Sequence, residues 1–559
     1  MNQVSENGTP IWKSPLLWAA VAALLIAVLY LSAANPHFRF MEGASAIKIL
    51  HARALLAGQG YTDIGRVGAP PEIVRPPGFP AFMALVFAVF GENLLVLKII
   101  NNLFAPAGFL ALFLLLKRRS DSPFTALAIA FAGYLFPFLV GMARYLEAEL
   151  MFCFLFFAAL YVFERAHDEG HVRKSLAAIF TFLLCISSLV RSVAFVLVFA
   201  ALPALGFRKE VSLGRRLVFA LVIVVLWAVV GGGWMLRNQA VAPKGEMTYA
   251  DKLLADEPVD SVYWLLEDQR TPLLWSPGRA SALEIIARSK PNSVFYLGKL
   301  IGSVRQTWTR AGPAVIVALL AVLIMTAGFI NALLKKRRIT ELAVLLYLVV
   351  ILLWPYQDNR FIVPVFPLLL YYLSEGIGLI AGLIVPSTRD HKKAAVIVSA
   401  AVMSILAAVF AYHDLRLLIK DKDAAKRVVI KKSEHFQITA TSESTANSAL
   451  LLQWLKQNAA KEDVIMFHSY APCALITGRQ CTGIPLGRPE KVLGYIKQKG
   501  VDWILLDDEF SHGHEYMAAY TEKVLRPACK AFPEYFREAK TLQGSGARVL
   551  KVRDKMNDS

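Results

Sequence analysis

The sequence predicts a polytopic α-helical membrane protein of about eleven transmembrane helices, with a small C-terminal α/β extramembrane domain. Three observations lead there. Of the 559 residues, 56% are hydrophobic and only 18% are charged, and the mean hydropathy of +0.49 lies outside the soluble globular class. The apolar residues gather in runs long enough to cross a bilayer, with Lys and Arg clustered in the short segments between them. Beyond residue 413 the long runs stop, and short apolar strands alternate with helical patterns.

The first span covers 15–34. Its apolar core is long for a signal peptide, so it reads as an uncleaved anchor, although Ser32-Ala33-Ala34 resembles a cleavage site. It leads to an outer loop, 35–92, whose apolar piece from 80 to 90 is too short to cross and belongs at the membrane surface or in a re-entrant turn. Span 93–116 returns to Lys117-Arg118-Arg119, 122–141 goes out, and 147–164 comes back to Arg165, Arg173 and Lys174. The run 175–206 is too long for one helix and divides at Arg191 on the outer side, ahead of Arg208, Lys209, Arg215 and Arg216 inside. Span 217–235 leads to a second outer loop, 236–311, and 312–334 returns to Lys335-Lys336-Arg337-Arg338. Spans 340–355 and 361–385 flank the outer turn Gln357-Asp358-Asn359-Arg360, and 394–412 leaves the tail outside. With the N-terminus inside, every basic cluster between spans falls on one side. That placement accounts for the net charge of +18 without nucleic acid as a partner.

The chain thus divides into a transmembrane domain, 1–413, and an outer α/β domain, 414–559. In the latter, ANSALLLQWLKQNAA has helical periodicity, VIMFH after Asp463 reads as a strand, 488–499 as a helix, and VDWILLDD and ARVLKV as strands. Asp507-Asp508 at a strand end reads as a turn or helix-cap pair rather than a catalytic one. Cys153 and Cys185 sit in apolar spans as packing residues. Cys473 and Cys481, in an oxidising compartment, either pair across a strand-turn unit or stay free, and Cys529 is left over.

The chemistry-bearing residues gather at the predicted outer side. Glu42 precedes an amphipathic helix whose apolar positions Ile47, Leu50, Ala54 and Leu55 share one face. Read alone, it is a carboxylate favoured by the helix dipole. Arg144, Tyr145, Glu147 and Glu149 stand where one span passes to the next, and Arg191, Arg237 and Arg360 occupy other outer ends. A single arginine there reads as snorkelling to headgroups; several, with two acids, against the usual inside preference of basic residues, read as a site. Such a set suits group transfer from a lipid phosphodiester. The leaving phosphate gains charge in the transition state, where fixed guanidiniums stabilise it, and a carboxylate accepts the proton of the attacking acceptor. A divalent metal, Mg or Mn, bridging a carboxylate and the phosphate is compatible with these acids, and nothing in the sequence specifies it.

The order of motifs resembles the C-superfamily membrane glycosyltransferases, specifically the family 39 and aminoarabinose-transferase-like group. The stretch Ala52 to Tyr61 resembles A-x-x-L-x-x-G-x-G-[YF], and Arg75-Pro76-Pro77-Gly78-Phe79-Pro80 resembles R-P-P-G-[YF]-P. Glu149 to Phe152, Leu189 to Arg191, Trp234 to Asn238 and Arg360 to Pro367 resemble the later E-x-x-[FM], L-x-R, W-x-x-R-N and R-[YF]-x-x-P-x-x-P elements. Trp454-Leu455-Lys456 and Thr477-Gly478-Arg479 resemble outer domains attached to such enzymes. The resemblance implies inverting transfer of a sugar from a polyprenyl-phosphate carrier to an envelope acceptor (lipid, glycan or protein) at the periplasmic face of a bacterial inner membrane. It implies Glu42 as catalytic base and Glu149 in support of donor or metal. Arg75, Arg144, Tyr145, Arg191, Arg237, Asn238 and Arg360 would bind donor. The family has aspartate in that loop with an aromatic residue one turn on, whereas this chain has Glu42 and Ala46; Asp63 is the second candidate for base. Two other classes are open: a transporter or flippase of lipid-linked saccharide, which favours polar mid-span residues such as Asn101 and Asn102, and a non-catalytic envelope-assembly scaffold.

Overall fold

The computed structural model describes residues 14–34, 37–39, 43–166, 173–207, 211–243, 248–254, 279–305, 311–336, 338–355, 357–385, 388–425, 429–430, 437–439, 443–485, 487–507, 521–542 and 545–553. The chain forms two compact units, one of 1–34, 98–237 and 282–419, the other of 35–97, 238–281 and 420–559.

The first unit is helical throughout its described residues. Among the described residues, six helical segments are long and apolar enough to cross a membrane: Pro15–Ser32, Leu94–Lys117, Leu213–Val241, Ile316–Lys336, Phe366–Ile384 and Asp390–Ile419. Against about eleven spans expected from apolar runs, the others are shorter helices, save Glu149–Ala166, whose 18 residues include Glu149, Glu164 and Arg165, and local chemistry shows why. The run 122–141 is cut into Pro123–Tyr134 and Pro137–Met142, because Pro137 holds Phe136 extended and opens a new helix at its first position. Ile339–Leu353 stops where Trp354, ahead of Pro355, turns extended. The break expected at Arg191 is present: Lys174–Val190 ends there on an extended residue, and the chain restarts through Ser192–Ala194 into Phe195–Gly206. Residue 414, where the sequence changes character, lies within the continuous helix Thr388–Ala425.

Helices Ala311–Lys336 and Phe366–Ile384 meet backbone to backbone. A Cβ on Gly376 would collide with the Ile324 carbonyl, and one on Gly328 with that of Tyr372, the small-residue contact by which membrane helices approach. Gly376→Ala is therefore expected to destabilise the protein by about 1–3 kcal/mol, read as a lower thermal midpoint in detergent; an unchanged midpoint refutes the contact. Asn101 and Asn102 are buried cross-links rather than a lined path: Asn102 Nδ2 donates to the carbonyls of Tyr30 at 2.8 Å and Ala143 at 3.1 Å, and Asn101 Nδ2 to that of Glu147 at 3.5 Å.

Among its described residues the second unit holds eight strands: β1 His37–Arg39, β2 Val429–Ile430, β3 Gln437–Thr439, β4 Val464–Met466, β5 Cys481–Thr482, β6 Val501–Leu506, β7 Phe536–Thr541 and β8 Arg548–Val552. Five form one sheet in the order β5-β4-β6-β8-β7. Strands β5, β4 and β6 run parallel, joined by helices Tyr470–Thr477 and Pro489–Gln498, while β8 and β7 complete it antiparallel. Val464, Met466, Val492, Ile504, Leu525 and Leu550 fill one core on it, giving the small α/β domain read from the alternating pattern. The sequence-distant loop is part of the same unit. Strand β1 pairs in parallel with β3, and helix Gly43–Leu56 packs on helices Gly78–Phe90 and Tyr470–Thr477.

Cys473 and Cys481 form a disulfide, while Cys529 is free and half-buried, its thiol pushed up to about 12 by burial. The bridge closes a loop with a sequence separation of 8, which constrains the unfolded chain by about 2–3 kcal/mol. Cys481→Ser is expected to lower domain stability by that amount in denaturant melts. Equal melts of variant and parent under oxidising conditions contradict it.

Candidate active site

In the second unit the site begins where helix Gly43–Leu56 stops. Gly58 and Gly60 take φ of 70° and 74°, a left-handed turn that glycine adopts without strain. The chain then folds back on itself: Asp63 N–H donates to the Pro70 carbonyl at 2.8 Å and Glu72 N–H to that of Tyr61 at 3.1 Å. This closure brings two acids separated by a loop to one place, beside His51 on the helix. His51, Asp63 and Glu72 are buried, and their ligand atoms lie within 4.8 Å of one another. Among the described residues this is the group able to hold a metal ion.

Each member is held. Glu72 Oε1 accepts from the backbone N–H groups of Val74 at 2.7 Å and Arg75 at 2.8 Å. Its Oε2 stands 3.1 Å from His51 Nε2 and 3.4 Å from Arg75 Nη1. Burial works to raise the Glu72 pKa, but His51 and Arg75 outweigh it and hold the carboxyl well below the usual range. Burial likewise works against the Arg75 charge, and Glu72 with Tyr470, Tyr61 and Asp63 overrides it, so the guanidinium stays charged. Asp63 Oδ2 accepts from the Tyr470 hydroxyl at 2.7 Å and Oδ1 from Gly65 N–H at 3.2 Å. Burial and then the Asp63 carboxylate push the Tyr470 hydroxyl up, which keeps it a donor. Tyr61 fixes the Arg-Pro-Pro turn by donating to the carbonyls of Arg75 at 3.1 Å and Pro76 at 3.2 Å. The Arg75 side chain, 38% exposed, therefore leaves a rigid backbone with its head partly open.

The first unit carries a second cluster, at helix ends. Glu149, the first residue of helix Glu149–Ala166, is buried and ion-paired with Arg191. Arg191 lies over the rings of Phe152 and Phe361, 5.9 Å from each centroid. Arg360, in the short helical turn Asn359–Phe361, bonds Asp358 at 2.6 Å and reaches Glu147 at 3.2 Å. Burial works against its charge, and Glu147, Glu149 and Asp358 more than compensate. The residues expected to clamp phosphate are thus interleaved with three carboxylates.

The remaining expected residues are dispersed. Arg144 is buried and Tyr145 half-buried beyond helix Pro137–Met142. Arg237 lies over the Trp234 ring at 4.9 Å, and Asn238 is buried at the end of the same helix. Glu42 lies outside the described residues, one position ahead of helix Gly43–Leu56. Asp507 is buried, accepts from Thr521 Oγ1 at 2.7 Å and stands 3.2 Å from His468; Asp508 lies outside the described residues. His51, Glu72 and Tyr470 carry no signal in the sequence, since each is a lone polar residue in an apolar or loop context and no motif spacing joins them.

The resemblance read from the motifs is borne out by a family model that matches part of the chain and by the likeness of its fold to solved structures. The family model for dolichyl-phosphate-mannose-protein mannosyltransferases matches residues 74–234, a segment that includes Arg75, Glu149 and Arg191. The fold is similar to that of ArnT from Cupriavidus metallidurans bound to undecaprenyl phosphate, with a TM-score of 0.55 and 10% identity over 97% of this chain and 99% of that one. It is also similar to the oligosaccharyltransferase AglB from Archaeoglobus fulgidus in complex with an inhibitory peptide and a dolichol-phosphate, with a TM-score of 0.54 and 13% identity over 93% of this chain and 72% of that one. No curated protein matches the chain by sequence.

Proposed function

We propose that the chain transfers a sugar from a polyprenyl-phosphate-linked donor to an envelope acceptor, a lipid, glycan or protein, at the outer face of a bacterial inner membrane. The observation that carries this reading is the set of half-buried, acid-paired arginines at the helix ends of a fold shared with proteins whose structures hold undecaprenyl phosphate and dolichol-phosphate. In the reaction the acceptor hydroxyl or amine attacks the anomeric carbon from the face opposite the phosphate. Its proton passes to the Glu42 carboxylate as the new bond forms. The bond from the anomeric carbon to the phosphate oxygen breaks, and its electron pair leaves with the lipid phosphate, so the configuration inverts. Charge grows on that phosphate as the bond lengthens, and guanidiniums already held in place stabilise it without reorganising. Arg191 and Arg360 are the groups assigned to this task. Ion pairing keeps their planes fixed before donor arrives, and the phosphate then competes with Glu149 and Glu147 for the same N–H groups.

The test is a reconstituted system. Protein in sealed vesicles is given a labelled polyprenyl-phosphate sugar and an extract of envelope lipids, glycans and proteins, both on the outer-loop side only. Label is expected in one acceptor class, with the opposite anomeric configuration to the donor. Absence of transfer by folded protein, with donor appearing instead across the membrane, supports a translocating protein and overturns the reading.

A further inference from the structure

We propose that His51, Asp63 and Glu72 bind one divalent transition-metal ion of the zinc class, and that this ion locks the loop following the first hydrophobic helix into the shape that presents Arg75. The inference concerns the loop's own architecture and goes beyond sugar transfer.

Geometry is the first support. The three ligand atoms lie within 4.8 Å of one another, and the nearest pair, His51 Nε2 and Glu72 Oε2, is 3.1 Å apart. A tetrahedral ion with bonds of 2.0–2.2 Å sets its ligands about 3.4 Å apart, inside that span. Charge is the second. Two carboxylates this close and this buried repel each other and lose hydration, which is unfavourable unless cations stand beside them. Arg75, paired with Glu72 and within electrostatic reach of Asp63, supplies one positive charge against the two acids, and the hydrogen bonds to Asp63 come from neutral donors, Tyr470 and Gly65. A divalent ion between the two acids balances both.

His51 is the third and independent observation. Its side chain is wholly buried, yet neither ring nitrogen completes a hydrogen bond, even with Nε2 so near Glu72. Buried imidazoles are ordinarily hydrogen-bonded, and a nitrogen lone pair aimed into a cage of two carboxylates is a metal ligand's disposition. The surroundings orient the ligands as outer partners do at metal centres. Tyr470 and Gly65 hold the two Asp63 oxygens, and the N–H groups of Val74 and Arg75 hold Glu72. Each Asp63 oxygen keeps a further lone pair, and the backbone bonds to Glu72 go to Oε1 rather than to the Oε2 that stands by His51. Imidazole with two carboxylates in a dry site favours zinc over magnesium, which takes oxygen ligands and retains its waters. Arg75 follows Glu72 by three residues and shares its carboxylate, so an ion at Glu72 fixes the turn from which Arg75 projects.

The experiment uses the full chain, purified in detergent without a polyhistidine tag, stripped with chelator and reloaded with Zn²⁺ or Co²⁺ at micromolar free metal. One equivalent of zinc per chain by mass spectrometry, and visible absorption from cobalt in a site of low coordination number, are expected. His51→Ala and Glu72→Gln should lose that equivalent. His51→Cys should retain it and add a sulfur-to-cobalt charge-transfer band in the near ultraviolet, which decides the matter if the alanine variant does not fold. Parent protein that binds no stoichiometric metal overturns the proposal, as does an unchanged equivalent in His51→Ala or a cobalt spectrum without the new band in His51→Cys. Because metal content is read without sugar transfer, failure here and failure of the transferase reading are separate results.

Discussion

Replacing Glu42 by glutamine is expected to lower sugar transfer by about 10²–10⁴-fold with little change in the amount or thermal midpoint of the protein. Glutamine keeps the size and hydrogen-bonding reach of the side chain but cannot accept the acceptor's proton, so only the chemical step suffers. Donor binding, assigned to guanidiniums elsewhere, should persist, and the loss should appear in kcat rather than in KM. The position favours an anion, because it lies one residue before the first residue of helix Gly43–Leu56, where the dipole is positive. The second candidate, Asp63, is a poorer base on physical grounds. It is buried, and its two oxygens already accept from Tyr470 and Gly65. Wild-type transfer by Glu42→Gln would eliminate Glu42 as the base and leave the loop's role to other acids.

Arg119→Ala should be the most damaging single change to stability, at about 3–5 kcal/mol. Arg119 Nη2 bridges Glu164 at 3.1 Å and Glu341 at 2.9 Å, with the side chains of Arg119 and Glu341 wholly buried and that of Glu164 4% exposed. Thr340 donates a further hydrogen bond to Glu164, and the guanidinium lies 5.6 Å from the Tyr371 ring centroid. Removing the cation strands two carboxylates away from water, which costs far more than the pair contributes when intact. The expected result is a large drop in folded yield and thermal midpoint, partly restored when Glu341→Gln is added, because one stranded charge is then gone. An Arg119→Ala protein as stable as the parent would show that water or another cation reaches the acids. Since neither Glu164 nor Glu341 belongs to the clusters assigned to transfer, transfer per folded molecule should be retained, and that separates this triad from the Glu149–Arg191 pair.

The arginines illustrate how far sequence reading carries. Several guanidiniums at the ends of apolar spans are visible in the sequence, and so is their excess on the side where basic residues are scarce. That reading treats them as open phosphate ligands. In the folded chain Arg191 is taken by Glu149 and Arg360 by Glu147 and Asp358, so each is a member of an ion pair rather than an empty positive charge. Asp358 is two residues from Arg360, within reach of local reasoning. Glu147 is 213 positions away, and no periodicity links such a pair. The same distinction separates Asp63, visible as a loop acid, from its partner Tyr470, 407 positions on.

By itself the sequence determined which stretches are helical and apolar, the break at Arg191, the short non-crossing helix Gly78–Phe90 and the α/β character of the tail. Each is a local property, set by run length, proline, charge and the 3.6- or 2-residue period within a few turns of chain. Tertiary structure alone decided that the loop from 35 to 97 belongs to the same compact unit as the tail, that His51, Asp63 and Glu72 meet, and that the arginines are paired with acids. Those outcomes depend on which buried polar groups find partners once helices and strands pack, and burial makes an unpartnered charge too costly to leave. A one-dimensional pattern records where such charges lie along the chain; only the packed fold settles which of them share a site.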